Sequence, residues 1–117
     1  MNRVLIVDDE EHILKLYQRE LTDEGYEVLT APNSSEAIKI AQEKPVDVVV
    51  LDIRLKEENG LDTLSELRKL KKGMPIILNS AYNTYKSDFK SWLADAYLVK
   101  SPNLNELKQK IAELLRV

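Results

Sequence analysis

Cysteine is absent from this chain, which excludes a disulfide framework, a thiolate metal centre and a cysteine nucleophile. Histidine occurs once, as His12, too few for an imidazole zinc site or a convincing serine–histidine triad. Positive charge is the minority: 17 Lys and Arg against 20 Asp and Glu leave a net charge of −3, which argues against a nucleic-acid or anionic membrane surface as the main partner. Glycine is scarce as well, and no glycine-rich loop stands where a nucleotide or flavin module would need one to cradle phosphates. No apolar run approaches the ~20 residues of a membrane span, and Met1-Asn2-Arg3 opens onto a strand-length apolar segment rather than a signal peptide. The expectation is one cytoplasmic domain over residues 1–117, without a direct nucleic-acid or membrane partner.

What is present is alternation. Val46 to Asp52 is apolar at nearly every position and ends on a carboxylate, the pattern of a strand covered on both faces. Similar runs predict strands at Arg3–Val7, Glu27–Ala31, Pro75–Leu78 and Ala96–Val99. Between them, apolar residues recur at spacings of three and four. They predict helices over residues 10–24, with Ile13, Leu16, Tyr17 and Leu21 inward, and from Asn33 to Glu43, opened by an Asn33/Glu36 capping box. A third spans 61–71, with Leu61, Leu64, Leu67 and Leu70 inward; a fourth runs from Thr84 to Leu93 and a fifth from an Asn103/Glu106 cap to Leu115. Gly25 and Gly73 read as helix stops, and Gly60 closes the polar loop that follows Asp52. Five strand–helix alternations predict right-handed βαβ units and a parallel sheet between two helix layers.

The strand ends carry the chemistry. Strand one ends on Asp8-Asp9, strand three on Asp52, strand four on Ser80 and strand five on Lys100. In a parallel sheet these ends share one edge, where ligands of open α/β sheets bind. Clustered carboxylates repel one another unless a cation sits among them, and an oxygen-only set suits Mg2+, with Mn2+ possible. Asp8 and Asp9 could equally cap the first helix. A carboxylate beside a divalent cation, a lysine and a hydroxyl is equipped to accept a phosphoryl group.

The ordered set Val7-Asp8-Asp9-Glu10, Val50-Leu51-Asp52, Gly60, Ser80-Ala81, Tyr97 and Lys100 resembles the receiver domain of two-component response regulators, over essentially the whole chain. The resemblance implies a flavodoxin-like (βα)5 three-layer sandwich with strand order 2-1-3-4-5. It implies Asp52 as phosphoacceptor, Mg2+ held by Asp8, Asp9, Asp52 and the Arg54 carbonyl, Lys100 paired with the phosphoryl group, and Ser80 with Tyr97 as the switch pair. The donor would be a sensor histidine kinase or a histidine phosphotransfer protein, and the output partner is unknown. Ile13 and Leu14, ringing the acidic site, are the expected docking residues. The fourth helix, fifth strand and fifth helix are the expected readout surface. Arg54 and Tyr82, each two residues past a key site residue, would flank the hydrolytic water and slow dephosphorylation. Departures from the family pattern are Ser101 between Lys100 and Pro102, Lys56 in place of a proline, and Leu93 in place of a glycine. Other readings are an aspartyl phosphohydrolase, disfavoured because the nucleophile would need a second Asp two residues on, and an interaction module that is never phosphorylated.

Overall fold

The computed structural model describes residues 2–55, 58–81 and 93–116, with Arg54 and Glu58 described in their backbones alone. Five strands form one sheet: β1 (Arg3–Val7), β2 (Glu27–Ala31), β3 (Val48–Leu51), β4 (Ile76–Ser80) and β5 (Ala96–Val99). They run in the order β2-β1-β3-β4-β5, every pairing parallel. This is the expected 2-1-3-4-5 order. The helices are α1 (Glu11–Asp23), α2 (Ser34–Glu43), α3 (Gly60–Leu70) and α4 (Asn105–Leu115). The helix expected from Thr84 to Leu93 lies outside the described residues, except for Leu93 itself, which is exposed.

Apolarity at every strand position follows from a sheet covered on both sides. Successive side chains point to opposite faces. Leu5, Val7, Val49, Leu51, Ile76 and Leu78 pack with Ala37 and Ala41 of α2 and Leu61, Leu64 and Leu67 of α3. Their neighbours Val4, Ile6, Val48, Val50 and Ile77 pack with Tyr17 and Leu21 of α1 and Leu107 and Ile111 of α4. The result is a doubly wound three-layer sandwich.

Local signals were obeyed at most boundaries. The Asn33 side chain accepts from the Glu36 N–H at 2.9 Å, as the capping pattern predicts. Gly25 takes a φ of 96°, the left-handed stop expected after α1. Four expectations need correction. Leu70 is 42% exposed; it follows Leu61 by about two and a half helical turns, so a strict spacing of three carried it to the far side. Gly73 lies beyond the α3 terminus without a positive φ and is not a left-handed stop. The Asn103 carboxamide accepts from Asn105 N–H at 2.9 Å, a turn that starts α4 one residue later than its cap pattern suggests. The segment after Asp52 is not simply a polar loop: Ile53 and Leu55 are buried, and Arg54–Leu55 pairs antiparallel with Glu58–Asn59.

One side chain staples the rim opposite the site. The Arg68 guanidinium donates to the carbonyls of Leu93 and Met74, both at 2.7 Å, and of Lys72 at 2.9 Å. It also pairs with Asp95 at 2.9 Å, whose carboxylate accepts from Ile76 N–H at 2.8 Å. The end of α3 is thereby fixed to the starts of β4 and β5. Asn33→Ala is expected to lower the unfolding free energy by about 1 kcal/mol, and Ile111→Ala by roughly 2–5 kcal/mol, both measured by urea denaturation.

Candidate functional site

Backbone bonds carry the order of the sheet past the last strand residues. Asp8 N–H donates to Ala31 O at 3.1 Å, Asp52 N–H to Val7 O at 2.9 Å and Lys100 N–H to Ser80 O at 2.7 Å. Each residue therefore leaves its strand in register, and parallel pairing delivers all three to one edge.

Their side chains meet. Lys100 Nζ lies 2.7 Å from Asp8 Oδ2 and 3.1 Å from Asp52 Oδ2, with Glu10 Oε1 at 4.0 Å. Asp8 and Asp52 are only 2% and 5% exposed. An unpaired carboxylate at such depth would cost several kcal/mol, so the bridging ammonium is required by its surroundings. Burial works against the charged lysine, but the hydrogen bond to Asp8 and the charges of Asp52 and Asp8 outweigh it and raise the Lys100 pKa above the ordinary lysine value.

The second oxygen of Asp8 accepts from Glu10 N–H at 2.9 Å, a turn that leads the chain into α1. Asp8, Asp9 and Glu10 each offer a carboxylate oxygen, all within 4.8 Å of one another. Hard oxygen donors without imidazole or thiolate fit Mg2+ or Mn2+. Glu10 is the member that the strand-end reading left out of the metal set, because that reading assigned it to the first helix, which here starts at Glu11; its signal was the unbroken acidic run Asp8 to Glu11.

Behind Asp52 the backbone is tightly packed. A Cβ on Gly60 would fall against the Asp52 carbonyl and within 2.6 Å of Ile53 Cα, while Gly60 N–H donates to Ile53 O at 2.5 Å. Glycine is needed there for close approach, a reason that its place in a loop did not reveal.

The remaining expected residues are distributed as follows. Ser80 is fully buried at the end of β4. Tyr97 is half-buried and packs on the cluster that contains Leu78, its register partner, so Ser80 and Tyr97 share one face of the sheet. Ile13 and Leu14 are half-buried near the start of α1, and exposed His12 sits 3.3 Å from Glu10. The Lys100–Ser101 peptide is trans. The Arg54 backbone lies opposite Asn59 in the short antiparallel pair. The Arg54 side chain and Tyr82 lie outside the described residues, as does most of the fourth helix of the expected readout surface. One buried contact was not foreseen: Asn79 Nδ2 donates to Tyr17 Oη at 2.8 Å. The alternation of β4 puts Asn79 on a buried face, which alone demands a partner.

A family model described as the response regulator receiver domain matches residues 4–112. The chain belongs to that family. Among curated relatives, this receiver is 36% identical over 117 residues to the alginate biosynthesis transcriptional regulatory protein AlgB of Pseudomonas aeruginosa, covering 98% of this chain and 26% of that protein. It is 34% identical to the alkaline phosphatase synthesis transcriptional regulatory protein PhoP of Bacillus subtilis, covering 97% of this chain and 48% of that one. The receiver thus spans about a quarter to a half of the length of these relatives. Among solved structures, response regulator TrrA of Thermotoga maritima in complex with Mg2+-BeF is 49% identical, with a TM-score of 0.95 and coverage of 98% and 100% of the two chains. A complex of histidine kinase ThkA with TrrA matches at 49% identity and a TM-score of 0.92, covering 98% and 99%.

The raised Lys100 pKa carries a signed consequence. The folded state favours the ammonium, so its contribution is complete below the unfolded lysine pKa of about 10.4 and is lost as pH climbs through the higher folded value. Between about pH 10 and 12, urea unfolding should show stability falling more steeply in the unmodified receiver than in Lys100→Met.

Proposed function

We propose that this receiver accepts a phosphoryl group on Asp52 from the phosphohistidine of a sensor histidine kinase or a phosphotransfer protein. The observation that carries the proposal is the Lys100 ammonium held between buried Asp8 and Asp52 at the ends of parallel strands. An Asp52 oxygen attacks phosphorus in line; the O–P bond forms as the P–N bond breaks, and the electron pair leaves with the imidazole. Asp8 and Asp9, with Asp52 and the Arg54 carbonyl, would hold Mg2+, which when bound offsets charge on the phosphoryl oxygens. Lys100 exchanges its Asp52 contact for a phosphoryl oxygen. The Ser80 hydroxyl donates to another, and Tyr97 follows Ser80, altering the surface of β5, α4 and the segment before β5.

The kinase complex of a 49%-identical regulator supports a histidine kinase as donor. Ile13 and Leu14 supply the apolar contacts for its helices. Arg54 and Tyr82 crowd the path of the hydrolytic water and lengthen the life of the phosphoryl group. The receiver is read as one cytoplasmic signalling domain over residues 1–117 that catalyses its own phosphorylation and dephosphorylation and no other reaction.

Acetyl phosphate with Mg2+ should add one phosphoryl group, seen by intact mass. Asp52→Asn should abolish the adduct and Asp47→Asn retain it; labelling of Asp52→Asn at the unmodified level would remove Asp52 from its role. Replacing Ile13 and Leu14 together by Ala should slow transfer from the cognate kinase roughly tenfold or more while sparing acetyl phosphate labelling. Phosphate loss should take much longer than seconds and quicken in Arg54→Asn and Tyr82→Ala; equal rates in all three proteins would discard the lifetime assignment.

A further inference from the structure

The end of β4 is gripped on both faces of the sheet. Ser80 projects to the α2–α3 side, with Leu78. Asn79 projects to the opposite side, with Ile77, and there it bonds Tyr17 of α1 at 2.8 Å. Tyr17 and Asn79 are 3% and 4% exposed. With them, Leu98, Leu104 and Leu107 line one cavity together with polar Ser101 and Asn103, and breaking the bond at such depth would cost both polar groups a partner.

Three further facts give this bond a direction. Tyr17 stands one helical turn after Ile13 on the helix that carries the docking residues. Asn79 immediately precedes Ser80, whose carbonyl accepts from Lys100 N–H at 2.7 Å, so Asn79, Ser80 and Lys100 are tied through backbone. The pair also lines a cavity of about 350 Å3 bordered by Ser101, Asn103 and Leu107, which leaves room for the bond to change. The phenol lies within the field of the acidic site: burial mainly raises its pKa, the Asn79 bond and Lys100 oppose the rise, and Asp8 and Asp52 add to it.

We propose that Tyr17 and Asn79 are positioning residues for the phosphoryl chemistry: their bond sets the depth of Ser80 and Lys100 relative to Asp52 and passes displacement of these strand ends to α1. The inference rests on the roles assigned above to Asp52, Ser80 and Lys100. When Ser80 and Lys100 turn toward a phosphoryl group, Asn79 moves with them and Tyr17 shifts the helix face that bears Ile13 and Leu14. Helix α1 then presents a different surface to the kinase after transfer than before it.

The test uses the receiver labelled with 13C at the tyrosine ζ carbon and 15N at its amides, titrated with Mg2+ and beryllofluoride as a phosphoryl mimic. Asp52→Asn serves as the non-binding control. In the unmodified receiver, the Tyr17 ζ carbon and the Ile13 and Leu14 amides should shift along with Ser80 and Lys100. In Asn79→Leu, Ser80 and Lys100 should still respond while Tyr17, Ile13 and Leu14 lose most of their shift. A Tyr17 shift of unmodified size in Asn79→Leu means that the phenol senses the anion through space, and overturns the proposal. Silence at Ser80 and Lys100 in the unmodified receiver overturns the phosphoacceptor reading and this one with it. In acetyl phosphate labelling, Tyr17→Phe should slow the maximal rate roughly tenfold at unchanged half-saturation, and the double variant Tyr17→Phe/Asn79→Leu should lose no more than the single variant, because both changes remove one bond; recovery of the unmodified rate in the double variant overturns the proposal. A loss that merely tracks the folded fraction would show a structural role only.

Discussion

Two carboxylates withdrawn from water at Asp8 and Asp52 cannot both stay charged without a cation between them, and the Lys100 ammonium is that cation in this structure. Much of the architecture follows from delivering it. Asp8 and Asp52 leave adjacent strands, β1 and β3, but Lys100 leaves β5, with β4 in between. Two strand spacings to β3 and three to β1, roughly 10 and 14 Å, must be bridged by side chains that meet across the end of β4. A short residue is therefore needed at that end, and the fully buried Ser80 meets the need. Lysine suits the position because its flexible four-carbon stem ends in a compact charge with three donors, able to serve Asp8 and Asp52 together and to change partners when a new anion arrives.

The same edge shows how a rigid scaffold can hold a movable site. Below it, the sheet is clamped by two aliphatic layers and by the Arg68 staple, whose bonds join α3 to the starts of β4 and β5. At the edge itself the side-chain contacts are polar: Lys100 to Asp8 and Asp52, and Asn79 to Tyr17. Packed cores are not continuously deformable, whereas hydrogen bonds and ion pairs have discrete alternatives. A rearrangement at this edge would therefore cost least at the strand ends and the helices bonded to them. Gly60 belongs to the rigid part, for its missing Cβ lets the start of α3 press on the Asp52 backbone and fix the direction from which the carboxylate emerges.

Family membership and fold agree with this picture at different depths. A receiver model matching residues 4–112 establishes the family, and a 49%-identical regulator superposes over nearly the whole chain. The relatives AlgB and PhoP are two to four times as long as the span they share with this chain. Within this chain, the acidic run leads into Glu10, and the Tyr17–Asn79 bond lies at the end of β4.

The sequence by itself determined the strand–helix alternation, the three-layer class and the strand ends that bear Asp8, Asp9, Asp52, Ser80 and Lys100, because hydrophobic periodicity and side-chain chemistry are local properties of the chain. It also carried the Asn33 cap and the Gly25 stop, which depend on neighbours a few residues away. It misjudged Leu70, where a spacing of three drifts around a helix of 3.6 residues per turn, and the turn at Asn103, where the N–H two residues on is bonded rather than the one three residues on. It was silent on the contact beneath Asp52 that requires glycine at position 60, on Glu10 joining the acidic group, and on Tyr17 meeting Asn79 across 62 positions. Those pairings were decided by tertiary structure, since only the order and register of parallel strands determine which distant residues share an edge, and only burial makes each of them need the other.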